Sequence, residues 1–536
     1  MIYQIYKTLR IIFFILFVGI SIYSIKFYEG SIFIYITYCL SLITMLFYLT
    51  DRKASYFEIF FAVYLFLGFW FKYVFSLILY EGRVYDSNVA QVKSTNIDEI
   101  LLLGIWIALI CLFSSFINKR FKKNHSTKNK INSERSFFVN LYLQNRVMVL
   151  IFFLICITFV TFFNLRLGIH QRGFHYNNEL PSIIINLVKW LLLFGFTTFS
   201  CFIFHVEIKN LKKINLLTTI IILFEVFFSY TSMLSRSFII NSSSLILPIY
   251  QQSTKLVKKY DIKLIILFII MLFLTSVSIF EVNNIRIEKV KIVIEEYKEL
   301  TDKNLKKTSS DITTGKKLEN YNFQIPVNKL KNNKLIPGKN LADPSIENLE
   351  KKVNKLFKAP VVTAKIAKTT PKDVINFILI NRWIGIDSLI LVSSSEKKGY
   401  DLFFRALKED KDIVDYTFYE KEFGLSDVKT NVNTGKTIMK GNTLPGIISF
   451  LYYPGSLVFL LLSIMLIFFI FNALENYLNR ITSGNLVFMC FISNMIATRL
   501  FHFGYAPKDS YLFLISILLS ILFLTLLTRF KLNFSR

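Results

Sequence analysis

Long apolar runs separated by short polar stretches dominate this chain. Most of these runs are about as long as a helix that crosses the hydrocarbon core of a bilayer. The twelve runs cover residues 9–27, 31–50, 57–80, 99–117, 147–163, 183–205, 215–233, 238–250, 263–281, 446–471, 484–501 and 511–528. The pattern predicts an all-α polytopic membrane protein with about twelve transmembrane helices.

The hydrophilic region between the ninth and tenth runs divides the chain into three parts. Residues 1–281 are predicted to form an N-terminal transmembrane bundle of about nine helices, residues 282–445 a large loop, and residues 446–536 about three further helices. The first half of the loop lacks apolar periodicity, which predicts an irregular or partly helical segment. Thr370-Pro371-Lys372-Asp373 has the pattern of a helix start. The apolar residues that follow predict a helix near 371–392 that lies in the membrane interface or dips into the bundle mouth.

The basic residues concentrate in every second connection between the runs. The connection 118–146 alone contains eight Lys and Arg residues, which predicts a cytoplasmic location for it. Alternation then places both termini in the cytoplasm and the large loop outside it. The net charge of +27 is thus explained by membrane topology, and no nucleic-acid partner is expected.

Several kinds of chemistry lack their sequence signatures. All five cysteines lie in apolar runs, so neither a disulfide framework nor a zinc site is indicated. The first run lacks a small-residue cleavage pattern and is predicted to be a retained helix. The chain has no phosphate-cradling Gly-Lys-Ser/Thr loop and no serine-nucleophile elbow. We therefore expect neither a metal nor another cofactor.

The run 238–250 is the weakest prediction, because it is short and contains Asn241 followed by three serines. It is predicted to be a broken or tilted helix whose polar groups face the bundle interior. Alternatively, the serines bond back to their own helix backbone. Two interpretations are also open for three ionisable residues, Glu225, Lys72 and Lys189. Each either forms a pair in the bundle interior or extends its charged group to the membrane surface.

Arginines and histidines recur where the predicted topology places the outer face, which the positive-inside rule depletes of basic residues. Residues 164–176 contain Arg166, His170 and Arg172 beside glycines. A guanidinium matches the geometry of phosphate oxygens, so this loop is a candidate phosphate site. Alternatively, its cations lie among lipid headgroups.

Three further outer segments have the same character. Ser235-Arg236-Ser237 precedes a helix start, where main-chain N–H groups favour anions, although it also resembles an ordinary helix cap. In residues 381–388, Arg382, Trp383 and Asp387 either contact a ligand or form a structural salt bridge. Residues 499–509 contain Arg499, His502 and Tyr505, and an aromatic belt with an incidental histidine is the alternative.

The layout resembles that of bacterial oligosaccharide repeat-unit polymerases, the Wzy-type O-antigen polymerases. The resemblance covers nearly the whole chain in layout. In sequence it rests on Ser235-Arg236-Ser237, on Asn381-Arg382-Trp383-Ile384-Gly385 with Asp387-Ser388, and on Pro445-Gly446 with Tyr453-Pro454-Gly455-Ser456. Such polymerases are similar in fold to type C glycosyltransferases, and they act at the outer face of the bacterial cytoplasmic membrane without a metal.

The resemblance implies undecaprenyl pyrophosphate-linked oligosaccharide as donor and acceptor, membrane lipid as surroundings, and a chain-length regulator protein as a further partner. The pyrophosphate ligands are expected to be Arg166, Arg172, Arg236, Arg382 and Arg499. His170 is the first candidate for the base that receives the acceptor's proton, followed by His502 and Asp387. Trp383, Tyr505 and Tyr176 are expected to contact the glycan.

Three other functions remain open at this point. An O-antigen ligase would share the fold and the arginines but transfer the finished glycan to a different acceptor. A lipid-linked oligosaccharide flippase would carry its cations along a central cavity. A non-catalytic scaffold or receptor would use the large loop as its binding module.

Overall fold

Helices occupy the places of the twelve apolar runs in the computed structural model of the protein. The structure describes residues 2–51, 54–80, 97–124, 136–176, 180–211, 215–235, 237–256, 262–313, 380, 383–409, 417–423, 432–433, 437–439, 444–482, 484–504 and 508–529. Within these ranges the protein is α-helical, as predicted, with one small sheet in addition.

The helices before the large loop are α1 (Ile2–Ser24), α2 (Ile32–Leu49), α3 (Tyr56–Phe66), α4 (Lys72–Tyr80), α5 (Ile97–Asn124), α6 (Phe137–Gln144), α7 (Arg146–Leu167), α8 (Ser182–Trp190), α9 (Phe196–Val206), α10 (Leu216–Ser232), α11 (Phe238–Leu256) and α12 (Ile262–Thr313). A π-helical turn, Leu67–Phe71, joins α3 to α4, and a second, Leu191–Gly195, joins α8 to α9. A third, Glu207–Leu211, extends α9, and a short 3₁₀ turn, Ile25–Phe27, follows α1.

The later helices are α13 (Ile386–Ser393), α14 (Tyr400–Leu407), α15 (Phe418–Glu422), α16 (Gly446–Leu451), α17 (Leu457–Ile481), α18 (Leu486–Phe501) and α19 (Lys508–Arg529). The sheet contains β1 (Phe174–Tyr176), β2 (Val432–Asn433) and β3 (Thr437–Met439). Its antiparallel order β1-β3-β2 pairs the strand after α7 with the strands before α16.

Eight helical stretches are long and apolar enough to cross a membrane in the part of the chain that the structure describes. The apolar portions of α10, α11, α18 and α19 are shorter. Large apolar side chains on the outer surfaces of these helices are exposed, Phe33, Phe159 and Ile183 among them, as expected where lipid covers a helix. The chain is thus a membrane-embedded helical protein, and twelve crossings stay a prediction.

Two apolar runs differ from the helices that form over them. The ninth run ends at 281, whereas α12 continues to Thr313, so the beginning of the large loop is helical. Beyond 281, charged residues that favour helices alternate with Val282, Ile285 and Val293 at helical spacing, and Val282 and Val293 are buried. The tenth run, predicted to begin at 446, is two helices, because the chain turns at Pro454 and Gly455 between α16 and α17.

The helix predicted near 371–392 corresponds to α13 only in its last part, and residues 371–379 lie outside the described residues. Every residue from Ile386 to Val392 is buried, so α13 is packed into the bundle. Gly68 and Gly385 contact each other through their backbones. A Cβ atom at Gly68 would overlap the carbonyl oxygen of Ile384, so this packing requires glycine.

The chain forms two compact units. The first contains residues 1–297 and 379–536, and it includes every contact described below. The second contains residues 298–378, of which the structure describes the end of α12, residues 298–313. The predicted division at 281 and 445 stays a prediction.

Contacts between helix termini sort them into two ends of the first unit. At the end that we call the site end, the contacting pairs are Tyr28 with Asp98, Lys72 with Asp387, and Gly446 with Phe503. At the opposite end they are Arg10 with Asp51, Ser136 with Leu527, and Arg146 with Glu207. The helices thus alternate in direction along the chain, in agreement with the predicted topology. Which end faces the cytoplasm stays a prediction.

Candidate functional site

The loop after α7 is folded onto the end of α10 at the site end. Gly168, with φ of 63°, ends α7 and donates its N–H to Asn164 O over 2.9 Å. The buried Asn164 side chain accepts the His170 N–H over 2.8 Å and donates to Ser232 O over 2.9 Å. One asparagine therefore holds two separate segments of the chain together.

Arg172 lies at the centre of this junction. Its N–H donates to Met233 O over 3.0 Å, and its guanidinium donates to Ser237 Oγ over 3.2 Å. The hydroxyl oxygens of Ser235 and Ser237 are 2.9 Å apart. Among the residues that the structure describes, Arg172 forms no ion pair with a carboxylate. Its positive charge is therefore not neutralised by the side chains described around it.

Arg286 of α12 completes what we call the arginine corner, the residues Arg172, Ser235, Ser237 and Arg286. Its guanidinium donates to Leu234 O over 3.1 Å and to Arg172 O over 3.0 Å. The first of these bonds is made to Leu234, a non-glycine residue whose φ of 52° lies in the left-handed region. Hydropathy did not point to Arg286, because the ninth run ended before it. The helical spacing of Val282, Ile285 and Val293 was the available signal.

A row of hydrogen-bonded polar side chains leads from the arginine corner into the bundle. Asn241 of α11 donates to Ser237 O over 3.0 Å, and Asn494 of α18 donates to Asn241 Oδ1 over 3.1 Å. The Tyr64 hydroxyl of α3 donates to Asn494 Oδ1 over 3.4 Å and lies 2.5 Å from Thr498 Oγ1. His502 Nδ1 lies 2.9 Å from Thr498 O. We call this row the polar line: Ser237, Asn241, Asn494, Tyr64, Thr498 and His502.

The third predicted segment lies against the same helices. The ring of Trp383 meets that of Tyr64 edge to face, with centroids 6.5 Å apart. Lys72 donates to Trp383 O over 3.0 Å and forms an ion pair with Asp387. The side chains of this pair are only 7% and 9% exposed. Asp387 therefore forms an ion pair with a residue of α4. Of the two interpretations of Lys72, membership of an interior pair is confirmed.

All four predicted cationic segments therefore reach the site end through their described residues. Arg172 contacts Ser237, while Tyr64 connects Trp383 to the segment that contains His502. Arg236, Arg382 and Tyr505 lie outside the described residues. Tyr176 lies in β1, where its backbone pairs with Thr437, and Arg499 is half-buried near the end of α18.

Arg166 differs from Arg172, although both belong to the same loop. Its side chain is exposed and lies over the ring of Phe162, 5.4 Å from the centroid. Phe162 is itself 58% exposed on the outer surface of α7. This position fits the alternative in which a long cationic side chain follows an apolar surface toward lipid headgroups.

Two interpretations were given for the polar residues of α11, bonding to their own helix and facing the bundle interior. Each applies to different residues. Ser242 donates to Phe238 O over 2.9 Å and Ser244 donates to Asn241 O over 2.7 Å, so these serines bond to their own helix. Asn241 faces the interior and joins the polar line. The helix is continuous from Phe238 to Leu256 despite Pro248, so of the two predicted forms the broken helix is excluded and the tilted helix stays a prediction.

Three members of the polar line were not predicted from the sequence: Tyr64, Asn494 and Thr498. A signal was present, since Asn494, Thr498 and His502 follow one another at intervals of four residues and share one helix face. Polar residues on one face of an apolar helix indicate a face turned toward protein or water. No such spacing exists around Tyr64, so its position depends on packing alone.

Comparisons with other proteins leave the function to be argued from the site itself. No protein-family model, no curated protein and no solved structure matches this chain. Among the described residues, no group of three or more His, Cys, Asp or Glu side chains is placed to hold a metal ion. The arrangement offers a guanidinium beside hydroxyl groups, which suits an anion, and a histidine at the far end of the polar line.

Proposed function

We propose that this protein polymerises prenyl pyrophosphate-linked oligosaccharide repeat units at the outer face of the bacterial cytoplasmic membrane. The main support is Arg172, a cation with neutral partners at the point where the loop after α7 meets Ser237. Such a guanidinium can donate hydrogen bonds to two phosphate oxygens without first releasing a carboxylate. The Wzy-type resemblance supplies the reaction class.

In the proposed reaction, an acceptor hydroxyl attacks the anomeric carbon of the donor glycan. The new glycosidic C–O bond forms as the bond from that carbon to the pyrophosphate oxygen breaks, and the hydroxyl proton passes to a base. The prenyl pyrophosphate leaves with the electron pair. Arg172 stabilises the negative charge that develops on its phosphates, with Arg236 as a second ligand.

We propose His502 as the base, in preference to His170. The contact of His502 Nδ1 with Thr498 O fits a tautomer that is protonated at Nδ1, in which Nε2 carries the lone pair of a base. Asp387 is less suited, because its carboxylate is paired with Lys72. In this proposal Asp387 is a positioning residue that holds Trp383 beside Tyr64, where the two rings can contact the acceptor glycan.

The basic connection 118–146, which joins helices at the opposite end, supports an extracytoplasmic site end in this proposal. The large loop then faces outward, and both termini lie in the cytoplasm. The donor and the acceptor would both reach the site from the lipid phase, since their prenyl chains remain in the bilayer. A chain-length regulator protein is the further partner that the proposal includes.

The proposal is tested with purified protein in vesicles supplied with lipid-linked repeat units, without nucleotide and with a metal chelator. We expect a ladder of lipid-linked polymers on a gel. Arg172→Ala should lower the rate at least about 100-fold, as expected for the loss of one charge-stabilising group. Arg166→Ala is the matched control from the same loop and should retain most of the rate.

The same assay separates the other functions. Transfer of the glycan to a non-lipid acceptor would identify a ligase, and movement of the lipid-linked unit across the bilayer without a new bond would identify a flippase. Arg236→Ala and Arg382→Ala should both remain in the membrane and lose chain extension. Polymers of normal length from both of these variants would contradict the proposed phosphate site.

A further inference from the structure

A fully buried carboxyl group lies inside the bundle, between α9 and α10. Glu225 of α10 has no exposed surface. Thr197 Oγ1 and Ser229 Oγ lie 3.4 and 3.3 Å from its Oε1, and Ser200 Oγ lies 3.4 Å from its Oε2. Because Thr197 and Ser200 belong to α9, three hydroxyl groups from two helices surround the two carboxyl oxygens of Glu225.

Glu225 differs from the other buried carboxyl groups among the described residues. Each of those groups meets a cation or a main-chain N–H: Glu207 with Arg146, Asp387 with Lys72, Glu58 with Ser55, Glu475 with Phe57, and Glu420 with Thr417. Within the same described part of the chain, Glu225 meets only hydroxyl groups. Its negative charge therefore lacks the compensation that the others have.

The surrounding helices supply no positive charge to Glu225. Residues 147–165 of α7, 191–206 of the second π-helical turn and α9, 216–232 of α10, 238–254 of α11, 486–498 of α18 and 513–528 of α19 contain no Lys or Arg. Besides Glu225, their titratable groups are Cys156, Cys201, His205, Tyr230, Tyr250 and Cys490, of which Cys201 and Tyr230 interact with Glu225. Arg172 interacts with Tyr230, at the end of the helix. A carboxylate in such apolar surroundings is costly unless a cation neutralises it.

We propose that Glu225, Thr197, Ser200 and Ser229 form an occluded site for one sodium ion. The oxygen separations of 3.3–3.4 Å exceed the roughly 2.5–2.7 Å of a hydroxyl bonded to a carboxylate. They match neighbouring ligands of a small hard cation, since oxygens about 2.4 Å from an ion and at right angles are about 3.4 Å apart.

The charge balance favours a monovalent ion, because one carboxylate neutralises one positive charge, and a divalent ion would leave an excess inside the bundle. The bound ion would hold α9 against α10, the helix whose end carries Ser232 and the junction with Asn164. The sodium site does not depend on the proposed polymerase function.

The experiment measures retention of radioactive sodium by the purified full chain in detergent micelles. We expect saturable binding of one sodium ion per chain, displaced by unlabelled sodium, and by protons at low pH, but not by choline. Glu225→Gln should abolish this binding. Thr197→Val should weaken it at least tenfold.

The neighbouring threonine provides a matched control. Thr198 is also buried, but its hydroxyl has no hydrogen-bond partner among the described residues. Thr198→Val should therefore bind sodium like the unaltered protein. Absence of saturable binding to the unaltered protein would overturn the proposal in favour of a protonated Glu225.

Binding that persists in Glu225→Gln, or that falls equally in both threonine variants, would also overturn the proposal. If Glu225→Gln fails to yield monodisperse protein, the comparison of Thr197→Val with Thr198→Val decides the question alone.

Discussion

Lys72 and Arg172 are both cations at the site end, but their surroundings are opposite. Lys72 is buried, and its charge is matched by Asp387 and the Trp383 carbonyl. Arg172 is partly exposed, and its guanidinium donates to a hydroxyl group. A cation that already holds a carboxylate fixes structure, whereas a cation with neutral partners retains its attraction for an incoming anion. Position at the site end is therefore not enough to identify a phosphate ligand.

The largest effect is expected from breaking the buried pair. Lys72→Ala removes the cation that is paired with the buried Asp387 carboxylate, which should destabilise the protein by about 3–5 kcal/mol. Thermal unfolding in detergent measures the loss. The double variant Lys72→Met with Asp387→Leu should recover most of the stability, because apolar groups can replace a buried pair. A stable but inactive Lys72→Ala protein would instead make Lys72 a substrate ligand and remove the contrast with Arg172.

A smaller effect is expected from Arg172→Lys, which keeps the charge but loses the planar fork of donors. In the polymerisation assay the rate should fall about 10-fold, which corresponds to about 1.4 kcal/mol, while the unfolding temperature stays near that of the unaltered protein. A lysine variant of full activity would mean that a point charge is sufficient. A large loss of stability would mean that Arg172, like Lys72, has a structural role.

The smallest effect is expected from Tyr64→Phe, which removes one hydroxyl from the polar line. Its bonds to Thr498 and Asn494 would be lost, and stability should fall by about 1 kcal/mol. Tyr38→Phe is the matched control, since the Tyr38 hydroxyl is buried and has no hydrogen-bond partner among the described residues. Equal stabilities of the two variants, measured by thermal unfolding, would show that the polar line does not connect the two cationic regions energetically.

The placement of the helices was predictable because bilayer thickness imposes a length on apolar runs. The end of α12 was not predicted, since membrane hydropathy stops where charged residues begin although a helix can continue through them. The pairing of Lys72 with Asp387 could not be predicted from the sequence either. Helical periodicity identifies an interior face but not the segment that covers it, and here that segment comes from the large loop.

The candidate site shows the same limit. Residue chemistry identified Arg172, Trp383 and His502 as candidates, and topology brought their segments to one end. The sequence could not distinguish Arg166 from Arg172, because the two differ only in their tertiary contacts. Arg166 lies over the ring of Phe162, whereas Arg172 donates to Ser237. Tyr64 was missed because no polar side chain lies three or four positions from it in the sequence.

The buried contact between α4 and α13 also has a consequence for biosynthesis. Lys72 and Trp383 are separated by 311 positions in the sequence. At about 5–20 residues per second, a ribosome needs roughly 15–60 s to supply the later segment. Through that interval Lys72 lacks Asp387 and Gly68 lacks Gly385, so the contact between α4 and α13 forms only after the later segment has been made. The site end is therefore assembled late in translation, and truncated chains that stop before α13 should be recognised by quality-control proteases.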